Sequence, residues 1–167
     1  MESKMDYAEY QKLVSTVARG LTNSYDLREK GDIKYETRNK WNLWRGVSGF
    51  DHRIDVSLAN DKDVLLIECK YWGGNVPAIA FLTLWARIKD IEIGPCAEGK
   101  KFRGALVVSN GFQDGVEKLA QFYAKEISLF IIDTDGRIKI VSHTHFQTVS
   151  SIQVMLKAVP VIIINGQ

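Results

Sequence analysis

The chain has 167 residues, a formal net charge of only +2, 46% hydrophobic and 25% charged residues. Those proportions suit one globular domain with a proper core and exclude a chain that binds nucleic acid through bulk charge alone. No apolar run has the length of a membrane-spanning helix, "MESKMDYAEY" carries no signal-peptide core, and Cys69 and Cys96 make no disulfide framework, so a reducing cytoplasm is the expected compartment.

The first element is an amphipathic helix over 6–20. Tyr10, Leu13, Val14, Val17, Ala18 and Leu21 recur at helical spacing. Asp6 is placed to cap it, with Glu9 at the third helical position of a capping box. Residues 32–45 read as extended. From Lys34 to Arg53 the bases Lys34, Arg38, Lys40, Arg45 and Arg53 outnumber the acids Glu36 and Asp51, with Trp41 and Trp44 among them. The stretch reads either as a track for a phosphate backbone or as a solvated strand face with packed tryptophans.

"RIDVSLA" and "DVLLIECKYW" read as an antiparallel hairpin turning at Asn60–Asp61. "NVPAIAFLTLWARIKDIEIGP" reads as a helix with Pro77 in its first turn, Gly94-Pro95 as its stop, and Ile79, Leu82, Trp85 and Ile88 as its buried stripe. "RGALVVSN", "FQDGVEKLAQFYAKE" and "ISLFIID" then form strand, helix and strand, a right-handed βαβ unit with two parallel strands. "TDGR" is a hairpin turn into "IKIVSH", and 147–164 are ambiguous between helix and strand. The fold class is α/β with a mixed central sheet flanked by helices.

Glu68 and Lys70 are two apart in one strand, so both side chains leave the same face, while Cys69 faces away. A hairpin turning at 60–61 brings Asp55 level with Glu68. Two carboxylates meeting there repel unless a cation joins them, and hard oxygen ligands suit Mg²⁺ or Mn²⁺ bridging to a phosphate. Lys70 is placed to hold a water beside them. The plainer alternative is a solvent-facing Glu68–Lys70 ion pair with Asp55 as a turn-flanking acid. The apolar "LLI" before Glu68 weighs against it, because a buried unpaired carboxylate is costly.

"GVSGFDHRIDV", "LLIECKYW" and "ALVVSNGFQDGVEKLAQFYAKEISLFIID", in this order, resemble the PD-(D/E)xK nuclease superfamily, and within it the Mrr-type restriction endonuclease group. The resemblance spans about 5–133 of a single domain over 1–167, leaving 134–167 as a C-terminal extension. It implies a restriction-endonuclease-like αβββαβ core and a Mg²⁺- or Mn²⁺-dependent endonuclease, cutting double-stranded DNA as a homodimer. By the same resemblance Asp55, Glu68 and the backbone carbonyl of Cys69 hold the metal and Lys70 is the catalytic lysine. The group's first-helix F-E-x-x-V pattern reads "YQKLV" here, which puts Gln11 where a glutamate is expected; Glu9 is the nearest acid, and periodicity does not choose between them. Ser48, Gly49, His52 and Arg53 resemble the group's phosphate-side turn or form a purely structural loop. Ser109 and Asn110 either touch DNA or cap the following helix. His143 and His145 share a strand face without further ligands in reach. Tyr71 and Trp72 read as packing residues. The rival functions are a non-cutting nucleic-acid-binding module of the same fold and a nuclease for RNA or branched DNA.

Overall fold

Helix α1, Tyr7–Thr22, begins with the capping box that the sequence predicts. The Glu9 N–H donates to Asp6 Oδ1 and the Asp6 N–H to Glu9 Oε2, both at 2.8 Å. Two otherwise unpartnered backbone donors are thereby satisfied. Tyr10, Val14, Val17 and Ala18 are buried, so the apolar stripe is the packed face. The computed structural model describes residues 5–22, 28–29, 43–122 and 127–142. Lys34, Arg38 and Lys40, Trp41, the histidines at 143 and 145, and the ambiguous 147–164 lie outside the described residues.

The strands are β1 (Arg28–Glu29), β2 (Leu43–Arg45), β3 (Asp51–Arg53), β4 (Val56–Ala59), β5 (Asp63–Lys70), β6 (Lys101–Val108), β7 (Ile127–Ile132) and β8 (Ile138–Ser142). The helices α2 and α3 run over Ala78–Glu92 and Val116–Phe122. The main sheet has the order β1-β4-β5-β6-β7-β8, and β2 and β3 pair as a separate two-stranded hairpin. β4 and β5 are antiparallel through Val56↔Ile67 to Ala59↔Val64, as the turn predicts. The β5–β6 and β6–β7 pairs are parallel, and β8 returns antiparallel on β7. The chain is therefore α/β with a mixed central sheet flanked by helices; its main-sheet elements run α1-β1-β4-β5-α2-β6, with the separate β2–β3 hairpin inserted between β1 and β4. β8, read from sequence as part of an extension, is a strand of this sheet.

Alternation along β5 divides the core. Leu65, Ile67 and Cys69 face the side covered by α1, whereas Val64 and Leu66 face the side covered by α2 and α3. The buried face of α2 differs from the expected one. Ala80, Phe81, Leu84, Ile88 and Ile91 are buried, while Ile79 and Leu82 are exposed and Trp85 is partly covered. A constant spacing of three falls behind the helical period by about 60° per step, so the expected set winds half-way round the helix by Ile88. The helix starts just after Pro77 rather than with it inside the first turn. Tyr71 packs as expected, its ring stacked on Tyr10 at 5.0 Å; Trp72 is instead 46% exposed, with Lys70 Nζ 5.9 Å from its ring centroid.

Gly104 on β6 sets how closely α2 approaches the sheet. A β-carbon there would collide with Ile88 Cδ1 and come within 3.1 Å of Ile127 Cγ1. Gly104→Ala should therefore lower thermal stability by about 1–3 kcal/mol, the usual cost of an overpacked core. Combining it with Ile88→Val should recover part of the loss. Thermal unfolding of both variants checks this, and an unchanged midpoint for Gly104→Ala would contradict the packing.

Candidate active site

The site forms where the β4–β5 ladder stops. Pairing ends at Val56↔Ile67, one residue short of Asp55. The backbone groups of Cys69 that point toward β4 therefore need other partners. Its N–H donates to Asp55 Oδ2 at 2.8 Å, and its carbonyl accepts the Tyr7 hydroxyl at 3.2 Å. Tyr7 also lies 3.0 Å from Asp55 Oδ2, and Gln11 Nε2 donates to Asp55 Oδ1 at 2.7 Å. Tyr7 and Gln11 are four apart, which puts them on one face of α1. Of Gln11 and Glu9, Gln11 is the one that reaches Asp55. Glu9 is spent on the capping box and stays exposed.

Glu68 and Lys70 leave the opposite face of β5 from Cys69, as alternation requires. Lys70 Nζ lies 2.7 Å from Glu68 Oε1, and the Glu68 side chain is only 10% exposed. A second cation, Arg87 of α2, approaches Glu68 Oε2 at 3.3 Å and the carbonyl of Arg53 at 3.5 Å. The solvent-facing alternative for the Glu68–Lys70 pair is thus corrected: its carboxylate is buried between two cations.

Burial, and then the nearby Glu68 charge, push the Asp55 carboxyl up from 3.8 to about 6, against the lowering effect of its hydrogen bonds from Cys69 and Tyr7 and of the Lys70 charge. Burial also raises the Tyr7 hydroxyl and the Cys69 thiol, with Asp55 adding to both. The chain thus holds two carboxylates close together in a desolvated place. Oxygens of this kind, with the Cys69 carbonyl, fit a hard divalent cation, whose charge would relieve the crowding at Asp55. Among the described residues no group of three or more His, Cys, Asp or Glu side chains is placed to hold a metal. An ion here would keep water in most of its shell, as Mg²⁺ commonly does, and Tyr7 would have to release Asp55 and the carbonyl.

The remaining candidates lie beside this cluster. Ser48 and His52 both turn to Asp90 near the end of α2. Ser48 donates through its hydroxyl at 2.6 Å and its N–H at 2.9 Å, and His52 Nε2 lies 2.6 Å from Asp90 Oδ2. The Ser48 and His52 hydrogen bonds hold the Asp90 carboxyl down at about 2. A side chain at Gly46 would collide with that carboxylate. The turn is thereby tied to α2 as a structural loop, Gly49 at its bend. Arg45 is exposed and pairs with Asp51 across the hairpin at 3.4 Å, while Arg53 is half-buried two residues before Asp55.

Ser109 donates to the carbonyls of Trp72 and Lys70, and Asn110 to that of Gly73. These bonds fasten the loop after β5, in place of the capping role expected for α3, which starts only at Val116. Tyr7, Arg87 and Asp90 escaped the sequence reading. Tyr7 had a signal in its spacing from Gln11. Arg87 had one in its place within Leu84, Arg87, Ile88 and Ile91, a helical stripe with one charged member. Asp90 had none.

No protein-family model matches the chain, and no curated protein matches it. Among solved structures it is similar to the crystal structure of a protein of unknown function, AF1548, at 17% identity and a TM-score of 0.50, over 71% of this chain and 56% of that one. The chain spans a little over half the length of that protein, and the likeness concerns the fold alone. No helix among the described residues is long and apolar enough to cross a membrane.

The Asp55 shift has a sign that can be tested. A carboxyl raised on folding adds stability below the unfolded value of 3.8, and that contribution is lost as pH rises through about 6. Asp55→Asn removes the buried charge, and a rotated Gln11 amide can accept from the new Asn amide. In chelator, the variant should melt a few degrees above wild type at pH 8. That advantage should shrink as pH falls through 6 toward 4. An equal difference at every pH would contradict the shift.

Proposed function

We propose that this chain is a metal-dependent endonuclease that hydrolyses phosphodiester bonds in double-stranded DNA. The observation that supports the reading best is the convergence of Asp55, Glu68 and the Cys69 carbonyl around one desolvated strand end, with Lys70 on Glu68 at 2.7 Å. An ordinary surface ion pair has no need of a second buried carboxylate beside it. Mg²⁺ or Mn²⁺ held by these three oxygens would supply Lewis acidity and charge neutralisation at the phosphate.

The chain's own residues do the rest. Lys70 keeps two ammonium hydrogens beyond the one directed at Glu68, and its side chain is 21% exposed, so it can hold the attacking water at the open edge of the site. Its charge also opposes the negative charge that grows on the phosphoryl oxygens. Gln11 orients Asp55 with a neutral donor and leaves its charge available, while Tyr7 holds the same carboxylate in the metal-free chain. Asp90 fixes the hairpin that leads into Asp55. One constellation per chain serves one strand, so cutting a duplex calls for a homodimer.

Supercoiled plasmid incubated with Mg²⁺ or Mn²⁺ should be nicked and linearised, and EDTA should stop it. Lys70→Ala should slow cleavage by orders of magnitude while DNA affinity falls little, because the charge acts mainly in the transition state. If wild type binds DNA and never cuts it with any divalent metal, the chain is a binding module and the proposal is wrong.

Gln11→Glu should tighten Mn²⁺ binding measured by calorimetry without DNA, since it adds a third carboxylate to the cluster. Glu9→Ala should leave that binding unchanged and only loosen the start of α1. Loss of metal binding in Glu9→Ala with the fold intact would reverse the assignment of Gln11.

A further inference from the structure

Arg87 is placed unlike a structural clamp. Both of its contacts, 3.3 Å to Glu68 Oε2 and 3.5 Å to the Arg53 carbonyl, run through a single nitrogen and lie at the long end of hydrogen bonding. A guanidinium built to lock a carboxylate uses two nitrogens in parallel, with shorter bonds. Here Nε and Nη2 have no partner among the described residues. Glu68 is already held by Lys70 at 2.7 Å, so it does not require a second cation to be stable. The Arg87 side chain is 32% exposed, three times as much as the carboxylate it touches. Its backbone, in contrast, is firmly set. Leu84, Ile88 and Ile91 around it on α2 are all buried in the core.

We propose that Arg87 is a phosphate-binding residue of the site, resting on Glu68 in the free protein and turning to a non-bridging oxygen of the phosphodiester when nucleic acid is bound. The inference rests on the nuclease reading of this site and adds to it a residue that the sequence resemblance does not assign. Charge supports it. Asp55, Glu68, Lys70 and Arg87 sum to zero when all are ionised, so a divalent cation on the carboxylates leaves an excess of two positive charges. A phosphodiester and the charge that develops on it match that excess. Arg87 is the member with unused donors in the fork geometry that phosphate oxygens accept.

The test uses the whole chain, a fluorescent DNA duplex, and Ca²⁺ in place of Mg²⁺ so that binding is read without turnover. Arg87→Gln should weaken binding about tenfold and reduce the slope of log affinity against log salt by about one, the loss of a single phosphate contact. Arg87→Lys should retain most of the slope. Without DNA, Arg87→Gln should bind Mn²⁺ more tightly than wild type, because a competing cation has left Glu68; loss of a purely structural clamp would loosen it. In Mg²⁺, KM should rise more than kcat falls. Wild-type affinity and slope in Arg87→Gln, or weakened Mn²⁺ binding in both variants, would overturn the role of Arg87 and leave the nuclease reading standing. A wild-type chain that neither binds nor cuts nucleic acid with any metal would overturn both.

Discussion

Everything at this site depends on the unpaired backbone of Cys69. The β4 ladder stops at Val56, two residues short of the Ile54 that would pair with it, and a peptide group left unpaired in a desolvated place costs a few kcal/mol. A side-chain carboxylate takes the N–H and a tyrosine hydroxyl takes the carbonyl. The same shortfall therefore draws Asp55 into the plane of the sheet and presents an oxygen of the main chain beside it. Had the ladder continued for two more residues, Cys69 would be an ordinary ladder position with no need of Asp55 or Tyr7.

The two layers around the sheet treat its two carboxylates differently. From α1 come Tyr7 and Gln11, neutral donors that orient Asp55 without cancelling its charge. From β5 itself and α2 come Lys70 and Arg87, which do cancel the charge of Glu68. Asp55 consequently bears the cost of burial, and its carboxyl rises to about 6. A glutamate at position 11 would add a third negative charge to that side. The glutamine keeps the hydrogen bond and avoids the repulsion, so the metal-free fold is easier to hold. Any cation that binds must then rely on fewer charged ligands.

What the sequence disclosed follows the strength of the local rules. The β4–β5 hairpin, the βαβ crossover and the capping box of α1 each rest on short-range patterns, and each is present. Glu68 with Lys70, and Asp55 level with them, follow from strand alternation and turn position alone. The buried face of α2 did not, because apolar residues surround that helix and an i+3 series can be traced on the wrong side. Periodicity did not choose Gln11 over Glu9, since both flank the same stripe. Only the competing demand of the capping box separates them. The place of Arg87 on the buried stripe of α2 was legible, but its partner and those of Asp90 lie 19 and 42 residues away along the chain, and no periodicity names them.

Arg87 and Asp90 also stand three apart on α2, which puts them on neighbouring positions of one face. Through Arg87 the helix reaches Glu68 and the carbonyl of Arg53; through Asp90 it holds Ser48 and His52. Strand β3 ends at Arg53, and Ile54, fully buried, is all that separates it from Asp55. A shift of α2 along its axis would thus move both ends of the site together: the hairpin that delivers Asp55 and the cation that faces Glu68. The close seat of Ile88 over Gly104 resists that shift, since the helix lies against bare backbone there. The geometry of the two carboxylates is in this way set by packing beneath the sheet as much as by the polar contacts around them.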